Sequence, residues 1–362
     1  MHVPFTELTR EWNHFERQFL KTFKDFGRSG MYILGPLTEN FENNFAAYNN
    51  YKYAIAVSTG LSALEIALLS YGIKPGDEVI TVSNSAVATS LAISNVGAIP
   101  VFCDIKDDFL IDEKKIEKLI TEKTKAILPV HLFGQICDMK AINEIAKKHN
   151  LVVLEDACQA HGANFKDESA INTKAFSFYP TKNLGALGEG GLILTNEEAV
   201  RDFASSYRNY GQQGRYNHVI KGNNCRPDAL QCAFLDIKLK KLSKFIAKRR
   251  KIAKKYVDEL KNIPELVVPK FSKNNSYHLF VVRVLNGKRD GLKNYLQEKG
   301  IETLIHYPTT IHHQLCYSKE YDSIFLEKTD AFQLEILSLP CYPFLKDEER
   351  NLVISEIKNY FS

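Results

Sequence analysis

Residues 151–162 have the sequence Leu-Val-Val-Leu-Glu-Asp-Ala-Cys-Gln-Ala-His-Gly, in which an apolar run ends at two carboxylates. An unbroken apolar run of this length is typical of a strand that is buried on both faces. A carboxylate at the end of such a strand lies where parallel sheets bind ligands, although an aspartate there can equally cap the next helix. The stretch predicts a buried strand with a candidate ligand-binding residue, Asp156, at its end.

Further apolar runs flank this strand and alternate with amphipathic segments at 61–71, 85–96 and 139–149. The seven predicted strands cover residues 54–57, 78–82, 101–104, 126–131, 151–155, 175–178 and 192–195. Strands that alternate with helices predict an α/β fold with a mostly parallel seven-stranded sheet. Only residues 179–191, with one proline and four glycines, separate the last two strands. A crossover helix does not fit there, so this end of the sheet is predicted to be antiparallel.

The pattern changes after residue 200. Apolar residues at helical spacing predict one long helix over 238–261, followed by a strand at 277–284 and helices at 290–299 and 347–359. These elements predict a smaller α+β domain at the C-terminus, with the long helix as its bridge. We therefore expect a large domain with an N-terminal arm over residues 1–237 and a small domain over 238–362.

Composition excludes several classes of protein. The 362 residues carry 47 basic and 43 acidic side chains, a balance that does not favour nucleic-acid binding, and the basic residues of 238–261 fit a solvated helix face. The sequence contains no apolar run of the ~20 residues that a membrane helix needs, and its mixed N-terminus does not resemble a signal peptide. Seven scattered cysteines without a CxxC pair indicate reduced thiols. We expect a soluble cytoplasmic protein without membrane or nucleic-acid partners.

Two further segments carry candidate chemistry. In residues 176–191, FSFYPTKNLGALGEGG, Lys182 follows a strand end and lies in a glycine-rich return, where a lysine can form a Schiff base or can simply be solvated. In residues 57–64, VSTGLSAL, a strand ends and a helix begins, so free amide groups can hold a phosphate, although a plain capped turn has the same pattern. Aspartate, lysine and phosphate cradle together favour pyridoxal 5′-phosphate (PLP), which has a ring nitrogen, an aldehyde and a phosphate.

The sequence also resembles the DegT/DnrJ sugar-nucleotide aminotransferases, PLP enzymes of fold type I, over nearly its whole length. The resemblance rests on seven motifs in the family's order: SGMYILGP (29–36), PVHLFGQ (129–135), EDACQAHGA (155–163), SFYPTKNLGALGEGG (177–191), RNYG (208–211), GNNCR (222–226) and TLIHYP (303–308). The segment around Lys182 is most similar to the branch that aminates C3 of dTDP-linked 3-keto-6-deoxyhexoses. The resemblance implies that residues 1–237 form the PLP-binding domain.

The resemblance implies roles for individual residues. Lys182 would carry the cofactor and move protons, and Asp156 would pair with the ring nitrogen. The other implied cofactor contacts are Gly60, Leu61 and Ser177 at the phosphate, Cys158 and Gln159 at the ring, and Asn224 at the phosphate of the neighbouring subunit in a homodimer with a shared site. Tyr179, His306 and His313 are candidate sugar contacts.

The implied reaction moves an amino group from L-glutamate to a nucleotide-linked keto sugar, in support of deoxy amino sugar and glycan biosynthesis. The alternatives are a C4-aminotransferase for a UDP- or GDP-linked 4-keto sugar and a non-catalytic PLP-fold protein that regulates or binds. Lys182 argues against the family's deoxygenating branch, which has histidine there. Ala86 stands where relatives often carry an aromatic residue, which leaves one ring face uncovered, unless Ala86 is a core residue. Because His131, His161, His306, His312 and His313 form no HxxxH or HExxH spacing, no metal site is predicted.

Overall fold

The computed structural model describes residues 1–165 and 172–362. In these ranges it contains ten strands: β1 (Tyr53–Val57), β2 (Glu78–Val82), β3 (Ile99–Cys103), β4 (Thr124–Ile127), β5 (Val152–Asp156), β6 (Thr173–Ser177), β7 (Gly191–Thr195), β8 (Leu266–Val267), β9 (Phe280–Val284) and β10 (Ile336–Leu339). The same ranges contain thirteen α-helices: α1 (Leu8–Ser29), α2 (Pro36–Tyr48), α3 (Gly60–Ser70), α4 (Val87–Asn95), α5 (Glu113–Ile116), α6 (Met139–His149), α7 (Glu198–Tyr207), α8 (Ala229–Leu239), α9 (Leu242–Leu260), α10 (Arg289–Glu298), α11 (Ser318–Tyr321), α12 (Glu327–Phe332) and α13 (Asp347–Phe361).

The seven predicted strands form one sheet with the order β1-β7-β6-β5-β4-β2-β3. The pairs from β6 to β3 are parallel, whereas β7 runs antiparallel to both of its neighbours, β6 and β1. The predicted antiparallel arrangement of the last two strands is therefore confirmed, with β7 inserted one position inside the edge. A Cβ on Gly191, at the start of β7, would lie 2.0 Å from the carbonyl oxygen of Thr59. Glycine lets β7 pass directly beside the start of α3.

Both faces of this sheet are covered, which explains why its strands lack a polar alternation. On β1, Ile55 and Val57 belong to the apolar core beneath α3. Their neighbours Ala54 and Ala56 face the opposite core, which contains apolar residues of α2, α8 and α9. The predicted helices at 61–71, 85–96 and 139–149 correspond to α3, α4 and α6.

The C-terminal part contains an antiparallel sheet of three strands in the order β10-β9-β8. Its core includes Val282 and Val284 of β9, Leu292 of α10 and Val353 of α13. Helix α9 contributes to both sheets, because its first turns lie in the core of the large sheet and its last turns in the core of the small one.

The single long helix predicted over 238–261 is wrong in one respect, because the chain turns between α8 and α9. Lys238, expected on a solvated face, is buried at the end of α8, where its Nζ donates to Oε2 of Glu11 at 2.7 Å. Arg249 of α9 is also buried and donates to backbone carbonyls, among them that of Cys341. The division into residues 1–237 and 238–362 stays a prediction, and its boundary falls inside α8.

Most basic residues of α9 are nevertheless solvated. Lys254 and Lys255 form ion pairs with Asp258 and Glu259 one turn later. All seven cysteines fall in the described ranges, and all are free thiols. Among helices of the described residues, none is long and apolar enough to cross a membrane.

Candidate active site

Two neighbouring parallel strands end at the same edge of the large sheet and bring candidate residues together. Asp156 is the last residue of β5, and Ser177 is the last residue of β6, which pairs with β5 in parallel. The start of α3 follows β1 and lies against Ser177. The predicted carboxylate and the predicted phosphate cradle therefore lie at one sheet edge, where parallel sheets bind ligands.

The Asp156 carboxylate is buried and held at both oxygens. The Thr89 hydroxyl donates to Oδ2 at 2.8 Å, and the backbone N–H of Cys158 donates to Oδ1 at 3.1 Å. The Thr89 oxygen also lies 2.8 Å from the hydroxyl of Ser85, one turn earlier. In the described residues no helix begins directly after β5, so Asp156 caps a turn and not a helix, and Thr89 gives its carboxylate a second constraint that such a cap does not need.

Lys182 lies on the tight return that follows β6. Its backbone N–H donates to the carbonyl of Tyr179 at 2.8 Å, and a Cβ on Gly185 would lie 2.2 Å from the carbonyl oxygen of Pro180. The return is therefore too compact for a side chain at position 185. Burial lowers the pKa of Lys182, while Cys158 and Asp156, which lie close enough to act on the ammonium, oppose that shift. Lys182 and Asp156 thus belong to one site.

The N-terminus of α3 has the geometry of an anion cradle. Thr59 caps the helix by accepting from the N–H of Ser62 at 3.0 Å, while the first amides of a helix have no acceptor within it. A Cβ on Gly60 would lie 2.6 Å from the Cβ of Ser177. Glycine is thus required for the helix to approach the end of β6, and the amides of Gly60 and Leu61 come next to the Ser177 side chain.

Gln159, three residues after Asp156, is held by hydrogen bonds to two partners. Its Oε1 accepts from the N–H of Phe133 at 2.9 Å, and its Nε2 lies 3.1 Å from the hydroxyl oxygen of Tyr307 and donates to it. Burial raises the pKa of Tyr307 to about 12, so this phenol stays protonated. Cys158, next to Asp156, also has its pKa raised by burial and stays a thiol.

Three histidines, two of them buried and His306 half-buried, lie close enough to Lys182 for its charge to act on their rings. Burial, with Lys182 as a second cause, lowers the pKa of His161 to about 3 and that of His306 to about 4. The same two causes lower the pKa of His278 well below its usual range. All three imidazoles are therefore neutral near pH 7, and the site contains no second cation from this group.

The remaining predicted residues differ in position. Tyr179 is half exposed two residues beyond Ser177, and Asn224 is exposed in a β-bridge with Asn209. His313 contacts Asp330 instead of the groups around Lys182 described above. Ala86 is half-buried at the N-cap of α4, three residues before Thr89.

Four residues of the site were not predicted from the sequence: Thr89, Tyr307, His161 and His278. The pair Ser85 and Thr89 has the spacing of one helical turn, which could have indicated a polar helix face above a strand end. Tyr307 and His161 lie inside quoted motifs but received no role. For His278, which lies far along the chain, the sequence offers no local signal.

The fold and this combination of lysine, aspartate and helix N-terminus at one sheet edge define a fold type I PLP-dependent transferase. Residues 13–358 match the DegT/DnrJ/EryC1/StrS aminotransferase family, and the chain belongs to that family. The resemblance stated from the motifs and the predicted fold class are both confirmed.

Individual relatives cover the whole chain. It is 42% identical over 364 residues to a dTDP-3-amino-3,6-dideoxy-alpha-D-galactopyranose transaminase from Aneurinibacillus thermoaerophilus, with 99% of both chains covered. It is 39% identical over 368 residues to a "pleiotropic regulatory protein" from Geobacillus stearothermophilus, covering all of this chain and 99% of that one. The crystal structure of NtdA from Bacillus subtilis with bound cofactor PMP aligns with a TM-score of 0.95 at 33% identity, over 99% of this chain and 85% of that one.

Proposed function

We propose that this enzyme uses PLP to transfer the amino group of L-glutamate to C3 of a nucleotide-linked 3-keto-6-deoxyhexose, with dTDP as the nucleotide. The observation that carries the proposal is the placement of Lys182 beside Asp156, next to the amide cradle at Gly60. The transaminase from Aneurinibacillus thermoaerophilus, at 42% identity over 99% of both chains, supports the choice of sugar and nucleotide.

The residues present fit PLP. A Cβ at position 60 would collide with Ser177, so only glycine lets the free amides at the start of α3 lie next to the Ser177 side chain, and this group of donors fits a phosphate. We assign the phosphate to Gly60, Leu61 and Ser177, the ring nitrogen to Asp156, and the ring's remaining contacts to Cys158 and Gln159. When bound, PLP supplies an aldehyde that takes up an amino group and a ring that accepts the electrons of the adjacent carbon.

Lys182 moves the protons in this account. Its lowered pKa leaves more of the neutral amine near pH 7, which can take the proton from the α-carbon of glutamate. Glutamate, having given up its amino group, leaves as 2-oxoglutarate in this first half-reaction. In the second half-reaction the Lys182 amine, now protonated, delivers a proton to C3 of the sugar, so that the keto sugar leaves as an amino sugar. Asp156, fixed by Thr89, holds the ring orientation throughout. The expected kinetics are ping-pong, since one substrate leaves before the next binds.

We assign His306 as a contact of the sugar substrate. His306 is neutral, and its Nδ1 is 2.9 Å from the hydroxyl of Ser338, so its other nitrogen can face a sugar hydroxyl. Tyr179 is half exposed at the strand end and is the second proposed contact. His313 as a sugar contact stays a prediction that its contact with Asp330 does not support.

We also propose a homodimer in which Asn224 serves the partner's phosphate. Asn224 is exposed, and the exposed apolar side chains of Tyr210 and Val219 lie near it in sequence. A third exposed apolar side chain, that of Tyr32, lies in a chain segment that adjoins this region. Tyr32 adjoins this region because its carbonyl accepts from the N–H of Ala229 at 3.1 Å. Mixed dimers of Lys182→Ala and Asn224→Leu should recover activity above either parent if the site is shared. A mixture no better than its parents would contradict sharing.

The test of the reaction is a panel of substrates. Wild type with L-glutamate should convert dTDP-3-keto-6-deoxyhexoses with the highest kcat/KM and UDP- or GDP-linked 4-keto sugars far more slowly. The reverse order would establish the C4 alternative. The name of the Geobacillus stearothermophilus relative keeps a regulatory protein as the second candidate, and a protein that binds PLP yet converts no sugar in the panel would support it.

We place the enzyme in the cytoplasm, in the synthesis of deoxy amino sugars for glycans such as O-antigen. The seven free thiols support a reducing compartment. Fractionation of cells with an antibody against the chain tests the location, and activity in the membrane or secreted fraction would contradict it.

A further inference from the structure

Two adjacent histidines and one aspartate converge at a point outside the candidate active site. His312 and His313 end a short 3-10 turn, and Asp330 lies on α12. The Nε2 of His312 is 3.1 Å from Oδ1 of Asp330, and the Nε2 of His313 is 3.2 Å from the same oxygen. All three candidate ligand atoms lie within 4.8 Å of one another.

The His312 ring is positioned like a metal ligand. It is fully buried, and its Nδ1 lies 2.6 Å from the hydroxyl of Ser83, directly after β2, which fixes the ring from behind. Within the described residues its Nε2 has no hydrogen-bond partner, because the approach to Asp330 is close but poorly aligned.

The Asp330 carboxylate is also held in a fixed orientation. Oδ2 of Asp330 accepts from the N–H of Leu326 at 3.0 Å, which fixes the carboxylate and leaves Oδ1 toward the two imidazoles. His313 is partly exposed, with 45% of its side chain accessible, so it can adjust to a ligand and solvent can reach the point where the three residues meet.

We propose that His312, His313 and Asp330 form a binding site for a divalent transition metal of the Zn²⁺ class. Ligand atoms 2.0–2.2 Å from a tetrahedral Zn²⁺ lie about 3.3–3.6 Å apart, so the two separations to Oδ1 need to widen by only a few tenths of an ångström. Two imidazoles and one carboxylate are ligands that Zn²⁺ accepts, and water would take the fourth position on the exposed side. Search by sequence spacing could not find this group, because two ligands are adjacent and the third lies 17 residues later.

The site has a structural consequence for the proposed active site. Residues 311 and 312 are anchored to Ser83 through the N–H of Ile311 and that of His312. A metal would tie this anchored turn to α12 and so hold the segment that carries His306 and Tyr307. Metal binding is expected to raise thermal stability and to leave the transamination chemistry itself unchanged.

The experiment is a competition between the purified full-length protein and a chromophoric chelator for Zn²⁺, with Co²⁺ absorption as a second readout. Wild type should bind one Zn²⁺ per chain, show the intense visible bands of tetrahedral Co²⁺, and melt at a higher temperature with Zn²⁺. His313→Ala should bind Zn²⁺ at least about tenfold more weakly and lose the melting shift. Because His313 is partly exposed, this variant is expected to fold.

Two control variants separate the proposed site from adventitious binding. His149→Ala removes a partly exposed histidine whose Nε2 is 2.9 Å from Oε1 of Glu117, and Cys316→Ser removes an exposed thiol close to His313 in sequence. Both should bind Zn²⁺ like wild type. The proposal is overturned if wild type and His313→Ala bind alike, or if Cys316→Ser abolishes binding. The three residues would then be an imidazole–carboxylate hydrogen-bonding group only.

Discussion

The Thr89 hydroxyl donates a 2.8 Å hydrogen bond to Oδ2 of Asp156, which joins helix α4 to the end of strand β5. The other carboxylate oxygen accepts from the N–H of Cys158, so Asp156 cannot rotate without losing a bond in a buried environment. The carboxylate is therefore oriented before any ligand arrives. Preorganisation of this kind keeps a charged group in place during a reaction.

Thr89→Val removes this donor while keeping the shape of the side chain. Because a hydrogen bond to a charged group contributes about 1.5–3 kcal/mol, the kcat of Thr89→Val should be about tenfold or more below that of wild type. The kcat of Asp156→Asn should be much lower still. Steady-state kinetics with both substrates measures the effect. The matched control is Thr81→Val, which removes the 2.8 Å bond from another buried threonine to the carbonyl of Leu128 and should leave kcat unchanged. Full activity of both Thr89→Val and Asp156→Asn would show that the Asp156 carboxylate is only a structural cap.

Gly60→Ala should weaken cofactor retention. The added Cβ would meet the Cβ of Ser177 at 2.6 Å and push the start of α3 away from the end of β6. Equilibrium dialysis against PLP should show a Kd at least about tenfold higher than that of wild type, since one lost charge-assisted hydrogen bond has that value. Gly27→Ala, where a Cβ would meet no atom within 4 Å, is the control. Equal retention of PLP by both variants would show that the phosphate does not bind at the start of α3.

Stability should decrease as the pH falls from about 7 to 5, partly because of His161. Its folded pKa of about 3 lies below the unfolded value near 6.5, so the unfolded chain binds more protons in this interval and acid favours unfolding. One such group contributes about 2 kcal/mol between these pH values. His161→Phe should show a smaller decrease in the urea-unfolding free energy than wild type. His218→Phe, which replaces an exposed histidine, should show the same decrease as wild type. Identical decreases in all three proteins would contradict a buried, neutral imidazole at His161.

Ala86→Tyr tests the position where this chain departs from its relatives. Ala86 is half-buried at the N-cap of α4, and the turn it starts carries Thr89, so a ring there is expected to cover the cofactor. Stacking adds about 0.5–1.5 kcal/mol, which should slow loss of the pyridoxamine form by several-fold or change the preference among sugars. Differential scanning calorimetry of the apo protein should show little change. A destabilisation of about 1–3 kcal/mol, as overpacking causes, would instead make Ala86 a core residue.

Sequence reasoning succeeded where local pattern and local chemistry agree. The seven strands of the large sheet were predictable because they are buried on both faces, as Ile55 and Ala56 of β1 illustrate, and the short glycine-rich return predicted the direction of β7. The break between α8 and α9 was not predictable, because Lys238 looks solvated in sequence and its buried partners, Glu11 on α1 and the carbonyl of Gly185, lie far away along the chain.

The candidate site was predictable to a similar extent. Asp156 ends a strand and Lys182 follows one, each in a motif of distinctive composition that the local sequence displays directly. The residues that support them are contributed by distant segments, as the bond between Gln159 and Tyr307, 148 positions apart, demonstrates. Such pairs depend on how the two parts of the chain pack, and a single sequence contains no signal for that packing.

Transfer of labelled nitrogen from glutamate to the sugar is the decisive test of the proposed reaction. Purified wild type is incubated with L-[¹⁵N]glutamate and a dTDP-3-keto-6-deoxyhexose, and the sugar product is examined by NMR and mass spectrometry. The wild-type product should carry ¹⁵N bonded to C3, and Lys182→Ala should give no labelled product, because it should fold normally but lacks the amine that moves the proton. Label at C4, no label in the wild-type product, or turnover by Lys182→Ala close to that of wild type would contradict the proposed reaction.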